Sequence, residues 1–561
     1  MGHMIKGFAG LGFHHPCARR VPGVLARNLL FIGLILAGAA VLLGAIRTTP
    51  APLKPGSGFP SAGSISSTEK SDVSEVVARV NAAFRTDWAA ERLAPAARAD
   101  DLAIARRISL GLAGRIPSLE EIRLLEEVPA ENRIANWVEA LLNERSTADY
   151  LAERLARTYI GVEDGPFLVF RRRRFVSWLA DQLAGNRPYD QLVRELIASE
   201  GLWTDSPATN FVTVTLVDGA QRPNSSRLAG RVARAFLGAR IDCAECHDHP
   251  FDHWKQRDFA GLAAYFDQTR QTFTGIRDQS DTARSPADEK QISPAVPFQA
   301  ELLGHSGHRR QQLADWVTSR QNQRFSRAIV NRVWGILCGQ PLVTPVDNMP
   351  DEGLPPAIDL LADDFVANGF DLRRLIRAIT ETEVYSLASQ SPDEAAVTAR
   401  SIETWAIFPL TRLRPEQTVG AIFQARSLET VDRQTPLFLR FVQFIGKKEF
   451  VDRNGDLGED EFAPQSGTIP QRLLLMNGKE VREATDESNF VNASNRIAQL
   501  APDDDKAIEI AYLTILTRRP TSVEMSYFHQ QLEPLRDKER ARRIEDLCWT
   551  LLNSMEFCWN H

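Results

Sequence analysis

The chain has 561 residues, 66 Lys+Arg against 72 Asp+Glu for a net charge of −6, 43% hydrophobic residues and six cysteines. That length corresponds to about three to five domain equivalents with a large core. The composition argues against a basic nucleic-acid binder, a polytopic membrane protein, bulk disorder and a disulfide scaffold. Residues 1–27 form a leader carrying Lys6, Arg19, Arg20 and Arg27. Residues 28–47 hold the eighteen-residue uncharged run Leu29–Ile46. At ~1.5 Å rise per residue this run is just long enough to span a bilayer. The flanking arginines put the leader in the cytoplasm and the bulk outside. The expectation is an exported protein anchored to the cytoplasmic membrane by this N-terminal helix, with its bulk in the periplasm or extracytoplasmic space; a cleaved signal peptide is the alternative. Residues 48–73, rich in Pro, Gly, Ser and Thr, read as a flexible linker.

From 74 to 268 the apolar spacing predicts helices. Leu228, Val232, Ala235, Phe236 and Ala239 share one face, as do Phe175, Trp178, Leu179 and Leu183. The best strand signal is Phe211 to Val217 (FVTVTLV). Residues 269–308 turn polar and read as a connecting segment, and helical patterns resume over 309–561. The predicted fold is mainly α: two helical domains after a membrane anchor, not a small cytochrome c fold. Trp316, Trp334 and Trp405 are expected in the core, together with Cys338, Cys548 and Cys558.

Chemistry concentrates at Cys243-Ala244-Glu245-Cys246-His247, the C-x-x-C-H pattern of c-type haem attachment. Two cysteines three apart can meet the two vinyl groups along one side of a porphyrin, and the adjacent His can bind its iron. Covalent haem attachment is completed outside the cytoplasmic membrane, where this segment is expected. The sixth iron ligand is open. His249 is two residues from His247, ~7 Å of reach, too short to pass a porphyrin edge; His253, with ~20 Å, can pass it. His305 and His308 are further candidates, and the first Met downstream is Met349. Cys243, Cys246, His247 and His249 could instead form a zinc shell. A redox dithiol and a purely structural turn are the remaining readings.

Asp452 to Asp456 begins like a calcium loop, but Leu457 stands where the turn needs Gly and Ala463 where a bidentate Glu belongs, so tight calcium binding is not expected. The run Arg171–Arg174 reads as a solvated helix face, with docking of an anionic partner or a haem propionate as the alternative. No nucleophile elbow, zincin helix, P-loop or dinucleotide fingerprint is present.

The segment FLGARIDCAECHDHPFDHWKQRDFAGLAAYF, with RRISLGLAGRIPSLEEI and NRPYDQLVRELIASEG before it, resembles the planctomycete-type cytochrome-c-like domain of unknown function. The stretch from LADWVTSRQNQRFSRAIVNRVWGILCGQPLVTPVDNMPDEGLPP onward, through TIPQRLLLMNGKEV to the closing LLNSMEFCWNH, is similar to its companion C-terminal domain of unknown function. The resemblance covers roughly residues 85–561. It implies an exported, often membrane-tethered protein with a cytochrome connection, and brings no established activity. The leading expectation is covalent haem c on Cys243, Cys246 and His247, serving electron transfer or redox sensing with an unknown redox partner protein and no nucleic acid. The alternatives are a cell-envelope binding protein with a zinc site and an extracellular enzyme acting on polysaccharide.

Overall fold

The computed structural model describes residues 67–561, apart from 163–164, 167–168, 218–219, 280–291, 305, 391–394 and, within 431–491, all but 450–451, 453, 455, 462, 467–478 and 481. The segment 28–47, His305 and most of the Asp452 loop lie outside the described residues. Among those described, no helix is long and apolar enough to cross a membrane.

The protein is mainly helical. Helix α1 (Ser67–Glu91) begins inside the stretch read as linker. It buries Val73, Val76, Val77, Val80, Phe84 and Trp88, a 3.6-residue apolar stripe. Helix α2 (Asp101–Ala113) is capped by Asp100, whose carboxylate accepts from Leu102 N. It is buried nearly all round, because two cores flank it. Ile104, Ala105, Ile108 and Leu112 belong to a large core that also takes in α3 (Arg145–Ile160), α4 (Arg172–Ala184), α5 (Tyr189–Ala198) and α6 (Ser225–Leu237). Leu110 faces a second core built from α7 (Pro415–Ala425), α8 (Asp504–Leu516) and α9 (Asp537–Leu552).

The described residues of the two expected helical domains cluster together. The reason is visible on α2. Arg106 and Arg107 are fully buried. Arg106 donates to the carbonyls of Ile515 (3.2 Å) and Phe557 (3.2 Å). Arg107 donates to those of Tyr385 (2.9 Å), Leu387 (2.7 Å) and His561 (2.8 Å). Burial pushes both guanidinium groups down to about 10, and carbonyls from the C-terminal half solvate the charges. The division between 268 and 309 thus crosses a shared core. Trp316, Trp334 and Trp405 are buried in it, as expected.

Two local readings change. Residues 211–217 are not a strand: a helical turn covers Asn210–Thr213, and Phe211 to Leu216 are all buried. The β-branched run finds no strand to pair with, and β-propensity is a fit to a pleated neighbour more than a backbone preference. The connecting segment holds an antiparallel hairpin, β1 (Thr269–Thr272) and β2 (Gly275–Asp278), in register Thr269↔Asp278. Its strands are too short and polar to show period-2 alternation.

Candidate haem-attachment site

The motif lies where α6 meets a second loop. Gly238, in the left-handed conformation, ends α6. The next residues are fixed to the loop 347–351: Met349 N donates to Gly238 O (2.8 Å), Arg240 N to Asn348 Oδ1 (3.1 Å), and Arg240 Nε to Asp347 Oδ2 (2.8 Å). Then a 3₁₀ turn, Asp242–Glu245, carries the motif. Ile241 and Ala244 point inward, 2% and 0% exposed, so Cys243, Cys246 and His247 point out. The turn sits tightly on α6. A Cβ at Gly230 would stand 2.2 Å from Asp242 Oδ1, so a larger residue there would displace that carboxylate.

The following helix, α-helical over Gln256–Ala263, holds the motif from its other side. Gln256 Nε2 donates to Cys246 O (3.0 Å), and Gln256 N to Asp248 Oδ1 (2.9 Å). The backbone bond from Gln256, assisted by Lys255, holds the Asp248 carboxyl below its ordinary range. His249 N donates to Trp254 O (2.8 Å), closing the loop over the buried Trp254.

Hydrogen bonds distinguish the three histidines. His247 Nδ1 lies 2.7 Å from Asp248 O. A carbonyl only accepts, so Nδ1 carries the proton and Nε2 presents its lone pair, as in metal-ligating imidazoles. His253 Nδ1 lies 2.8 Å from Asp252 Oδ1 and 3.7 Å from Asp351 Oδ2, which leaves its Nε2 open likewise. In His249 the order is reversed: Nδ1 accepts from Phe251 N (3.2 Å), so the proton of the neutral ring sits on Nε2.

The zinc set Cys243, Cys246, His247 and His249 is not gathered. Among the described residues, the group with ligand atoms within 4.8 Å of one another is Glu200, Asp278 and His308. The sequence reading had not joined these three. Their oxygens already receive protein donors: Arg277 (2.8 Å) and Asp278 N (3.3 Å) on Glu200, Arg310 (2.9 and 3.0 Å) and Thr269 (2.8 Å) on Asp278. His308 caps a helix and turns Nε2 toward Glu200, 3.9 Å away. Its contacts include Glu200 and, through its backbone, Gln311. Met349 is 4% exposed and packed against Gly238.

The other described cysteines are of a different kind. Cys338, Cys548 and Cys558 are buried and form no disulfide, and burial raises their thiols, Cys548 to about 12. Cys243 and Cys246 are the exposed thiols. A small, partly open cavity of about 40 Å³, lined by Leu112, Leu142, Leu155 and Leu337 among others, contains none of the motif residues. The residues present fit a haem: two outward thiols on one short turn and an adjacent open Nε2. Such a group would lie against the surface of the loop. Sequence reasoning missed Gln256, and it missed the 347–351 loop because no local pattern announces a contact across about 100 residues.

Residues 79–271 match the family described as PSCyt2, protein of unknown function (DUF1549), and residues 309–456 match PSD1, protein of unknown function (DUF1553). The chain is a tandem of these two families, the cytochrome-c-like domain and its companion. No curated protein and no solved structure matches it.

Proposed function

We propose that the protein is an exported, membrane-tethered, c-type cytochrome-like protein that passes or senses single electrons. Cys243 and Cys246 would hold haem c through two thioethers, and His247 Nε2 would ligate its iron. Each thioether forms by adding a thiol's S–H across a vinyl C=C, sulfur to one carbon and hydrogen to the other, with no net redox change. Bound haem supplies a one-electron iron couple. The protein's own part is to hold the turn through Gln256 and Arg240 and to fix the His247 tautomer through Asp248 O, with Nε2 of His253 as a candidate further ligand. The observation that carries this reading is the hydrogen bond His247 Nδ1–Asp248 O beside two exposed thiols. The zinc reading draws less support, because His249 has Nδ1 occupied. The polysaccharide-enzyme reading draws no support from the cavity described above, whose lining contains no carboxylate.

The test is a variant series expressed with a haem-maturation system and scored for covalent haem after denaturing electrophoresis and for zinc by elemental analysis. The expected result is covalent haem in the parent, none in the double variant Cys243→Ser/Cys246→Ser, impaired maturation in His247→Ala, and near-parent attachment in His249→Ala. Stoichiometric zinc without haem, falling equally in His247→Ala and His249→Ala, overturns the proposal.

A further inference from the structure

The C-x-x-C-H turn lies in the segment matched by the first family (79–271), and the loop 347–351 lies in the segment matched by the second (309–456). That loop touches the chain on both sides of the turn. Ahead of it, Met349 N holds Gly238 O, while Asn348 Oδ1 and Asp347 Oδ2 accept from Arg240 N and Nε. Beyond it, Asp351 Oδ2 lies 3.7 Å from His253 Nδ1, and Asp351 also pairs with Arg324. Arg324 lies over the Trp254 ring at 5.4 Å and donates to Leu237 O (3.4 Å). One loop of the second segment thus brackets the motif.

The loop has an anchor of its own. Asn331, fully buried on the helix Gln323–Cys338, donates from Nδ2 to Val343 O (2.8 Å) and accepts at Oδ1 from Val343 N (3.0 Å). Two bonds from one buried amide fix the chain four residues ahead of Asp347. Arg324 stands on the same helix, so a single element of the second segment sets both contacts. The Arg240–Asp347 pair itself is a minor support for the fold. Its side chains are 44% and 16% exposed, and an ion pair so placed adds little to overall stability. Its effect is local: it fixes where the backbone enters the turn, three residues before Cys243. Placing two sulfurs against one ring depends on such positioning, because a misplacement of about 1 Å can cost a reaction up to about a hundredfold.

We infer that the loop 347–351 is part of the haem-attachment site, with Asp347 as its main positioning residue. The first segment then depends on the second for attachment, which gives the tandem a physical reason. The inference rests on the haem reading proposed for Cys243, Cys246 and His247.

The test is the initial rate of covalent haem attachment to the full chain by a haem-maturation system, taken per folded protein, for Asp347→Ala, Asp347→Asn, Asp351→Ala and Asp359→Ala. The last is the control: it removes an ion pair with Arg327 (2.6 Å) between two helices of the second segment. Asp347→Ala should attach haem about tenfold more slowly at an almost unchanged unfolding midpoint. Asp347→Asn, which keeps an acceptor for Arg240, should recover most of the rate. Asp351→Ala should slow attachment by a smaller factor, and Asp359→Ala should match the parent. Haem that does attach to Asp347→Ala should give a shifted electron paramagnetic resonance spectrum, which lost stability alone does not produce. Parent rates in both Asp347→Ala and Asp351→Ala overturn the inference alone, as does equal slowing in Asp347→Ala and Asp359→Ala. A folded parent that takes up no haem overturns the haem reading and the inference together.

Discussion

Arg310→Met is expected to cost the fold about 3–5 kcal/mol, the range for breaking one partner of a buried pair. The Arg310 side chain is 0% exposed and Asp278 3%. Nε reaches both Asp278 oxygens at 2.9 and 3.0 Å, and Nη1 donates to Ile197 O (3.1 Å) and Ser199 O (2.8 Å). Methionine fills the space but leaves a buried carboxylate held by Thr269 alone and two carbonyls without this donor. The partner change distinguishes charge from packing. Arg310→Met with Asp278→Leu removes both charges and should recover most of the loss. Urea unfolding followed by circular dichroism measures it. A single variant within about 1 kcal/mol of the parent contradicts the account of the hairpin base.

Gly420→Ala is expected to destabilise by about 3 kcal/mol, although alanine is the better helix former by about 1 kcal/mol. Gly420 lies in α7, where that helix crosses the end of α2. A Cβ placed there stands 1.9 Å from Gly114 O and 3.1 Å from Gly114 C. Both obstructing atoms are backbone, in the left-handed cap that ends α2, so no side-chain rotation relieves the clash. Gly185 is the control: an added Cβ meets its nearest neighbour at 3.4 Å, ordinary contact, and alanine there should leave the unfolding midpoint almost unchanged. Equal midpoints for Gly420→Ala and Gly185→Ala contradict the helix crossing.

Much of this was legible in the sequence, for reasons that specific residues explain. The faces read for Leu228, Val232, Phe236 and Ala239 are buried, because helix period alone assigns them to the core. The partly buried Trp178 and Leu183 show the same stripe at its edge. The motif Cys243–His247 was legible because its chemistry is local. What escaped was non-local. Arg106 and Arg107 on α2 look like the polar face of an ordinary helix until carbonyls some 280 to 450 residues away surround them. The run 211–217 has strand composition but no partner edge. Which nitrogen of His247, His249 or His253 carries the proton depends on carbonyl, amide and carboxylate positions that side-chain spacing does not encode.

The central claim is covalent haem on the 243–247 turn. The most direct measurement is the intact mass of the protein exported alongside a haem-maturation system, taken with its absorption spectrum. The account predicts a mass increase of one haem that survives denaturation, a Soret band, and loss of the added mass in Cys243→Ser/Cys246→Ser. A mature, folded protein at its polypeptide mass with no Soret absorption contradicts it.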